Sequence, residues 1–154
     1  MPESSQILVI DDDRASLLLL EYLFKSVGLG DEVVTALGSD VGLKLLEERA
    51  KSGGSCPALV VLDVEMPNID GFGILTWIHK NFCGRRPTTV MMSASQAAQH
   101  VRQAALLKAD AYFVKFPPAS ALREIYDLAC RIHRGDDTAR EVLLSFPGCL
   151  RPPA

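Results

Sequence analysis

Five short apolar runs recur along the 154-residue chain, and a longer segment with helical periodicity follows each. The runs are residues 6–10, 32–37, 58–62, 88–92 and 111–114. Such alternation is satisfied by parallel strands, right-handed crossovers and helices on both faces of one sheet. The run 58–62, Ala-Leu-Val-Val-Leu, is apolar throughout instead of alternating, which suits a strand covered on both faces. The expectation is an α/β domain, at a length that sustains one hydrophobic core.

The helical segments have readable ends. Asp13 is placed to cap the first, with Leu17, Leu20, Phe24 and Val27 as its buried stripe and Gly28 as its stop. Ser39 or Asp40 caps the second, which runs to about residue 51. The others are expected at about 71–82, 96–108 and 118–134. Residues 52–55, Ser-Gly-Gly-Ser, read as a flexible loop, because the next strand starts almost at once. Residues 1–134 are thus expected to form the domain. Residues 135–154 are expected as a C-terminal tail or the start of a linker, with one short helix at 138–146 between Gly135 and Pro147.

Composition excludes several classes. Hydrophobic residues make up 48% of the chain, charged residues 23%, and the net charge is −3 with no lysine- or arginine-rich block. That balance gives no footprint for nucleic acid or an anionic membrane. The polar opening MPESSQ argues against a signal peptide, and no apolar stretch approaches the ~20 residues of a membrane span. Cys56, Cys83, Cys130 and Cys149 are scattered without a Cys-x-x-Cys pair, as expected of reduced thiols in a cytoplasmic protein.

In an open parallel sheet the functional crevice lies outside the carboxyl ends of the strands. The first strand delivers Asp11, Asp12 and Asp13 there, the third Asp63 and then Glu65, the fourth Ser93-Ala94-Ser95, and the fifth Lys115. Two like charges ~4 Å apart repel by about 4 kcal/mol at an effective dielectric near 20, so the acids call for cations. Lys115 supplies one, and a hard divalent ion, magnesium or manganese, would supply the rest. As helix caps and solvated turn residues, Asp13, Asp40 and Asp70 are already explained. Asp11, Asp12, Asp63 and Lys115 are not, because four strand-end positions would have to agree by chance. Carboxylates, metal, lysine and hydroxyl are the parts of a phosphoryl-transfer site. With neither G-x-x-x-x-G-K-[ST] nor G-x-G-x-x-G present, a nucleotide-binding site is not expected. The nucleophile would be Asp63 itself, forming an acyl phosphate.

The segments ILVIDDD, LVVLDVEMPNIDG, VMMSAS and ADAYFVK, in that order, resemble the receiver domain of two-component response regulators over residues 6–134. The resemblance implies a flavodoxin-like sheet of order 2-1-3-4-5. It implies Asp63 as phosphoacceptor from a sensor histidine kinase or phosphotransfer protein, in a self-catalysed reaction unlike that of a conventional enzyme. Asp11, Asp12, Asp63 and the backbone carbonyl of Glu65 would hold magnesium. Ser93 and Lys115 would engage the phosphoryl group, Tyr112 would be a rotamer switch, and a homodimer could form through helix 4, strand 5 and helix 5.

Plainer roles stand beside some of these. Tyr112 could be packing alone, Ser93 a helix cap, Phe72 and Trp77 packing residues, and His79, His100 and His133 solvated surface groups. Two positions depart from the family pattern. Phe116 stands directly after Lys115 where proline in a cis bond is usual, and a cis bond before a non-proline residue costs about 3 kcal/mol. Lys108 replaces a common glycine, which implies a different turn before the fifth strand. A metal-dependent phosphatase with an aspartyl nucleophile, or an unphosphorylated receiver-like interaction module, remains as an alternative function.

Overall fold

The computed structural model describes residues 6–51, 56–82 and 84–152. The loop 52–55, the opening residues 1–5, Cys83 and residues 153–154 lie outside that set. The elements are β1 (Ile7–Asp11), α1 (Arg14–Ser26), β2 (Val33–Leu37), α2 (Ser39–Lys51), β3 (Leu59–Leu62), α3 (Gly71–Asn81), β4 (Thr88–Ser93), α4 (Ala98–Leu106), β5 (Ala111–Val114), α5 (Ala119–His133) and α6 (Thr138–Leu144). All four strand pairings are parallel and the order is β2-β1-β3-β4-β5.

Alternate residues of the sheet feed two apolar layers. Ile7, Val9, Val61, Val90 and Phe113 meet Leu17, Leu20 and Phe24 of α1 and the buried stripe of α5. Leu8, Ile10, Val60, Leu62 and Met91 meet Leu46 of α2, Ile74, Leu75 and Ile78 of α3, and Val101 of α4. Burying each such side chain fully contributes roughly 1.5–3 kcal/mol, so the two layers fix which sheet face each helix covers.

Local chemistry sets the ends. Asp13 caps α1 by accepting from the amide of Ala15 at 3.2 Å, and Asp70 caps α3 by accepting from Gly73 at 2.9 Å. Neither Ser39 nor Asp40 caps α2. The helix already includes both, and the turn before it is made by Gly38 at φ +92°, while the Ser39 hydroxyl donates to the carbonyl of Pro67. At the start of α4, Ala97 occupies the cap position. Lys108 adopts φ +62°, so a left-handed turn persists before β5 although the residue carries a Cβ, at a cost of about 1–2 kcal/mol. The Lys115–Phe116 peptide is cis.

Residues 135–152 do not stand away from the body as a tail. Ala139 and Leu143 of α6 are fully buried in the layer shared with α1 and α5. Arg140 reaches Asp110 at 2.6 Å, and the same buried carboxylate takes Arg86 at 3.0 Å and the amide of Thr89 at 2.9 Å. Beyond α6, Phe146 stacks edge-on against Phe113 and the amide of Leu150 donates to the carbonyl of Tyr112 at 2.8 Å. The i, i+4 spacing of Ala139 and Leu143 explains the docking, because one face of a seven-residue helix finds a layer to join.

Candidate functional site

β1 and β3 lie side by side with Ile10 opposite Leu62, and the amide of Asp63 extends that ladder to the carbonyl of Ile10 at 3.1 Å. The two strands therefore end at one level, which sets Asp11 beside Asp63. Gly71, at the start of α3, presses against the Asp63 backbone: a Cβ there would fall 2.2 Å from the Asp63 carbonyl oxygen. Only glycine allows α3 to begin so close to the strand end.

Carboxylate oxygens of Asp11, Asp12 and Asp63 come within 4.8 Å of one another. Asp11 and Asp63 are buried and Asp12 is exposed. Lys115, at the end of β5, places Nζ 2.7 Å from Asp11 Oδ2 and 3.4 Å from Asp63 Oδ1. The second oxygen of Asp11 accepts the amide of Asp13 at 2.9 Å. Burial first, and then the Asp11 charge, push the Asp63 carboxyl up to about 6 in spite of Lys115. Burial pulls the Lys115 ammonium the other way, but its hydrogen bond to Asp11 and the charge of Asp63 hold it above its ordinary value. One ammonium against three carboxylates leaves negative charge uncompensated. The donors are all hard oxygens at bridging separation, a set that fits magnesium or manganese.

Ser93 ends β4 and is buried; its hydroxyl accepts the amide of Ser95 at 3.1 Å, so it holds the β4–α4 loop instead of capping α4. Tyr112 is buried, pairs with Met91, and donates its hydroxyl to the carbonyl of Ser95 at 2.7 Å. Burial raises its phenol, against hydrogen bonds to Ser93 and Ser95. The Glu65 side chain is exposed and lies outside the group of three acids.

Two neighbours carry signals that the sequence reading leaves unused. Ser16 is buried, donates to Asp13 at 2.9 Å and lies 3.3 Å from Lys115 Nζ; its position three residues after a capping aspartate is the pattern that could have found it. His100 is half-buried, with Nδ1 3.1 Å from the Ser95 hydroxyl and its ring tilted against Phe72. His79, also half-buried, lies 3.2 Å from the carbonyl of Lys108, and His133 lies 4.0 Å from the Cys56 sulfur. None of the three is the simple solvated group expected. Phe72 is core, and Trp77 packs edge-on against Phe82.

Comparison with known proteins bears on the family and the fold. The family model described as the response regulator receiver domain matches residues 7–127. The probable methanogenesis regulatory protein FilR2 of Methanothrix harundinacea is 25% identical over 71% of this chain and 70% of its own length. A protein-glutamate methylesterase/protein-glutamine glutaminase of Symbiobacterium thermophilum is 36% identical over 65% of this chain, which spans only 24% of that relative. The receiver domain of the Francisella response regulator 1452 shares the fold, with a TM-score of 0.69 and 19% identity over 83% of this chain and 98% of that one.

Proposed function

This chain belongs to the response regulator receiver family, whose members act as phosphorylation switches, and on that premise we propose that Asp63 is its phosphoacceptor. The observation that carries the assignment is the meeting of Asp63 with Asp11, Asp12 and Lys115 at the mouth of a sheet whose strands deliver them separately. A phosphohistidine of a sensor kinase or phosphotransfer protein is the donor. An Asp63 carboxylate oxygen attacks the phosphorus in line, the P–N bond breaks, and the imidazole leaves with the bond pair. A carboxyl titrating near 6 is mostly ionised at neutral pH and so available as nucleophile.

Asp11, Asp12, Asp63 and the Glu65 carbonyl would hold the divalent ion. When bound, it neutralises the transferring oxygens. Lys115 then turns part of its charge to the new dianion, and Ser93 donates its hydroxyl to it. Because Ser93 and Tyr112 both hold the Ser95 segment, that movement reaches the β4–α4 loop. Tyr112 acts as the switch aromatic. The place of action is the cytoplasm, through protein contacts that include a homodimer on the α4–β5–α5 face and neither nucleic acid nor membrane. Among the described residues no helix is long and apolar enough to cross a membrane.

The deciding experiment incubates the protein with acetyl phosphate and magnesium and weighs it. A gain of one phosphoryl group in wild type and none in Asp63→Asn is expected. No gain in wild type, or continuous turnover of phosphate esters, would overturn the reading.

A further inference from the structure

Two guanidinium groups meet one carboxylate at the amino-terminal edge of the sheet, across from the edge where Asp63 lies. Asp110 stands just before β5 and Arg86 just before β4, while Arg140 reaches over from α6. Asp110 Oδ1 accepts from Arg140 at 2.6 Å, and Oδ2 accepts from Arg86 at 3.0 Å and from the Thr89 amide at 2.9 Å. Asp110 is buried and both arginines are half-buried. The carboxylate is fully occupied, and its one charge balances only one of the two cations.

The surplus lines a cleft of about 1000 Å³. Lys108 and Arg151 line it too, both exposed, and among the described residues neither pairs with a carboxylate. Four cations and a single acid thus share one recess, on a chain whose net charge is −3. A solvated basic face would be convex, and its side chains would be free to move. Here Asp110 holds the two arginine forks in place, so little freedom is lost when a ligand arrives. A planar fork also matches two phosphate oxygens at once.

The rest of the lining is mainly apolar. Leu144 follows Arg140 by one turn of α6 and shares its face, and Leu150 is fixed by its amide to the Tyr112 carbonyl at 2.8 Å. Arg140, Leu144, Leu150 and Arg151 all lie beyond residues 7–127, the part matched by the family model, so the C-terminal segment adds this cleft to the shared fold.

We propose that the cleft binds a small organic phosphate carrying two or more negative charges. The phosphates lie on Arg86, Lys108, Arg140 and Arg151, and the organic body lies against Leu144 and Leu150. A recess of this volume suits a small molecule, and a nucleoside diphosphate has the charge and the size. The cradle is built of side chains, in place of the glycine-rich loops that the sequence lacks.

The test titrates the full-length chain with adenosine diphosphate and with inorganic pyrophosphate by calorimetry. EDTA is present, so that no cation bridges a phosphate to the acids around Asp63, and amide NMR shifts locate the ligand. Wild type should bind one adenosine diphosphate, more tightly than pyrophosphate, with shifts confined to Arg86 and to residues 105–110 and 140–152. A variant combining Lys108→Gly with Arg151→Gln should bind it about tenfold more weakly, two exposed charges being lost. Neither change should harm the fold, because glycine suits the φ of +62° at position 108 and Arg151 is exposed and unpaired. An unfolding midpoint no lower than that of wild type is the control. No saturable binding of either ligand up to about 1 mM, unchanged affinity in the variant, or shifts centred on Asp11 and Asp63 would each overturn the site. Equal affinity for the two ligands would overturn the role given to Leu144 and Leu150.

Discussion

The ammonium of Lys115 lies 2.7 Å from Asp11 Oδ2, closer than the 3.4 Å that separates it from Asp63. The lysine is thus committed first to the acid expected to hold metal and only second to the expected nucleophile. Its side chain is 11% exposed and that of Asp11 only 2%, so the pair is not a screened surface contact. A cation arriving at Asp11 would weaken the hold on Lys115 and leave it free for a new dianion on Asp63. Charge is passed around a fixed set of oxygens.

Replacing Lys115 by methionine keeps the apolar stem and removes the charge. Lys115 is what restrains the upward shift of Asp63, so the Asp63 carboxyl should then titrate above about 6. Carboxyl carbon NMR against pH measures this. Phosphoryl uptake from acetyl phosphate should fall by ~10²-fold, the usual effect of deleting one donor to a developing anion. A variant with an unchanged Asp63 midpoint would show that the ammonium is too well solvated to matter.

Asp63→Asn should make the fold more stable at neutral pH. Asp63 titrates near 6 when folded, above the 3.8 of an unperturbed carboxyl, so the folded state holds its proton more tightly. Stability from this group is present below about 3.8, is lost as pH rises toward 6, and is absent at 7. The shift from 3.8 to about 6 sets an upper bound of ~3 kcal/mol on the difference. Urea unfolding of both proteins at pH 7 should show that gain for the asparagine variant, shrinking to nothing by about pH 3.5. A constant gain at both pH values would assign it to something other than ionisation.

Strand ends are the part of the molecule most legible in the sequence. Continuous apolar runs that break on Asp11, Asp63, Ser93 and Lys115 define where each strand emerges, and parallel topology then gathers those residues at one edge. Ser16 escapes that logic because it approaches Lys115 from a helix, one turn past a cap, and has no strand-end signature. Residues 135–152 escape it for another reason. Gly135, Pro147 and Gly148 look like the punctuation of a linker, yet they shape a turn that returns the chain to β5. Turn residues specify a change of direction without specifying what lies in the new direction. Lys108 adds a third case, since its left-handed φ is imposed by the α4–β5 connection against the preference of a lysine.

Magnesium binding should fail on acidification before the fold does. The ion and the proton compete for Asp63, whose carboxyl titrates at about 6. Below that pH the apparent affinity should fall about tenfold per pH unit, and above about pH 7 it should level off. Calorimetric titration with magnesium chloride at pH 5, 6 and 7.5 measures it. Asp12→Ala, which removes the exposed member of the three acids, should weaken binding at every pH and move the midpoint slightly down, because the Asp12 charge helps to raise the Asp63 carboxyl. If affinity is flat from pH 5 to 7.5, Asp63 is not a ligand.

Residues 138–144 should unfold with the rest of the domain as one cooperative unit. Leu143 is fully buried among side chains of the layer it shares with α1 and α5, and α6 has seven residues, too short to persist alone in water. If the helix exists because Leu143 and Ala139 are buried, deleting most of the Leu143 side chain should cost the whole domain ~2–5 kcal/mol, transfer and cavity together. A short helix on a tail would instead melt locally and leave the global transition unchanged. Urea unfolding followed at 222 nm separates the two: one transition moved to lower urea for Leu143→Ala is expected, and an unmoved main transition would place α6 outside the folded unit. Val142, on the more exposed side of the same helix, is the control, because at 47% exposure its side chain keeps much of its surface in water and Val142→Ala should shift the stability by no more than ~0.5 kcal/mol.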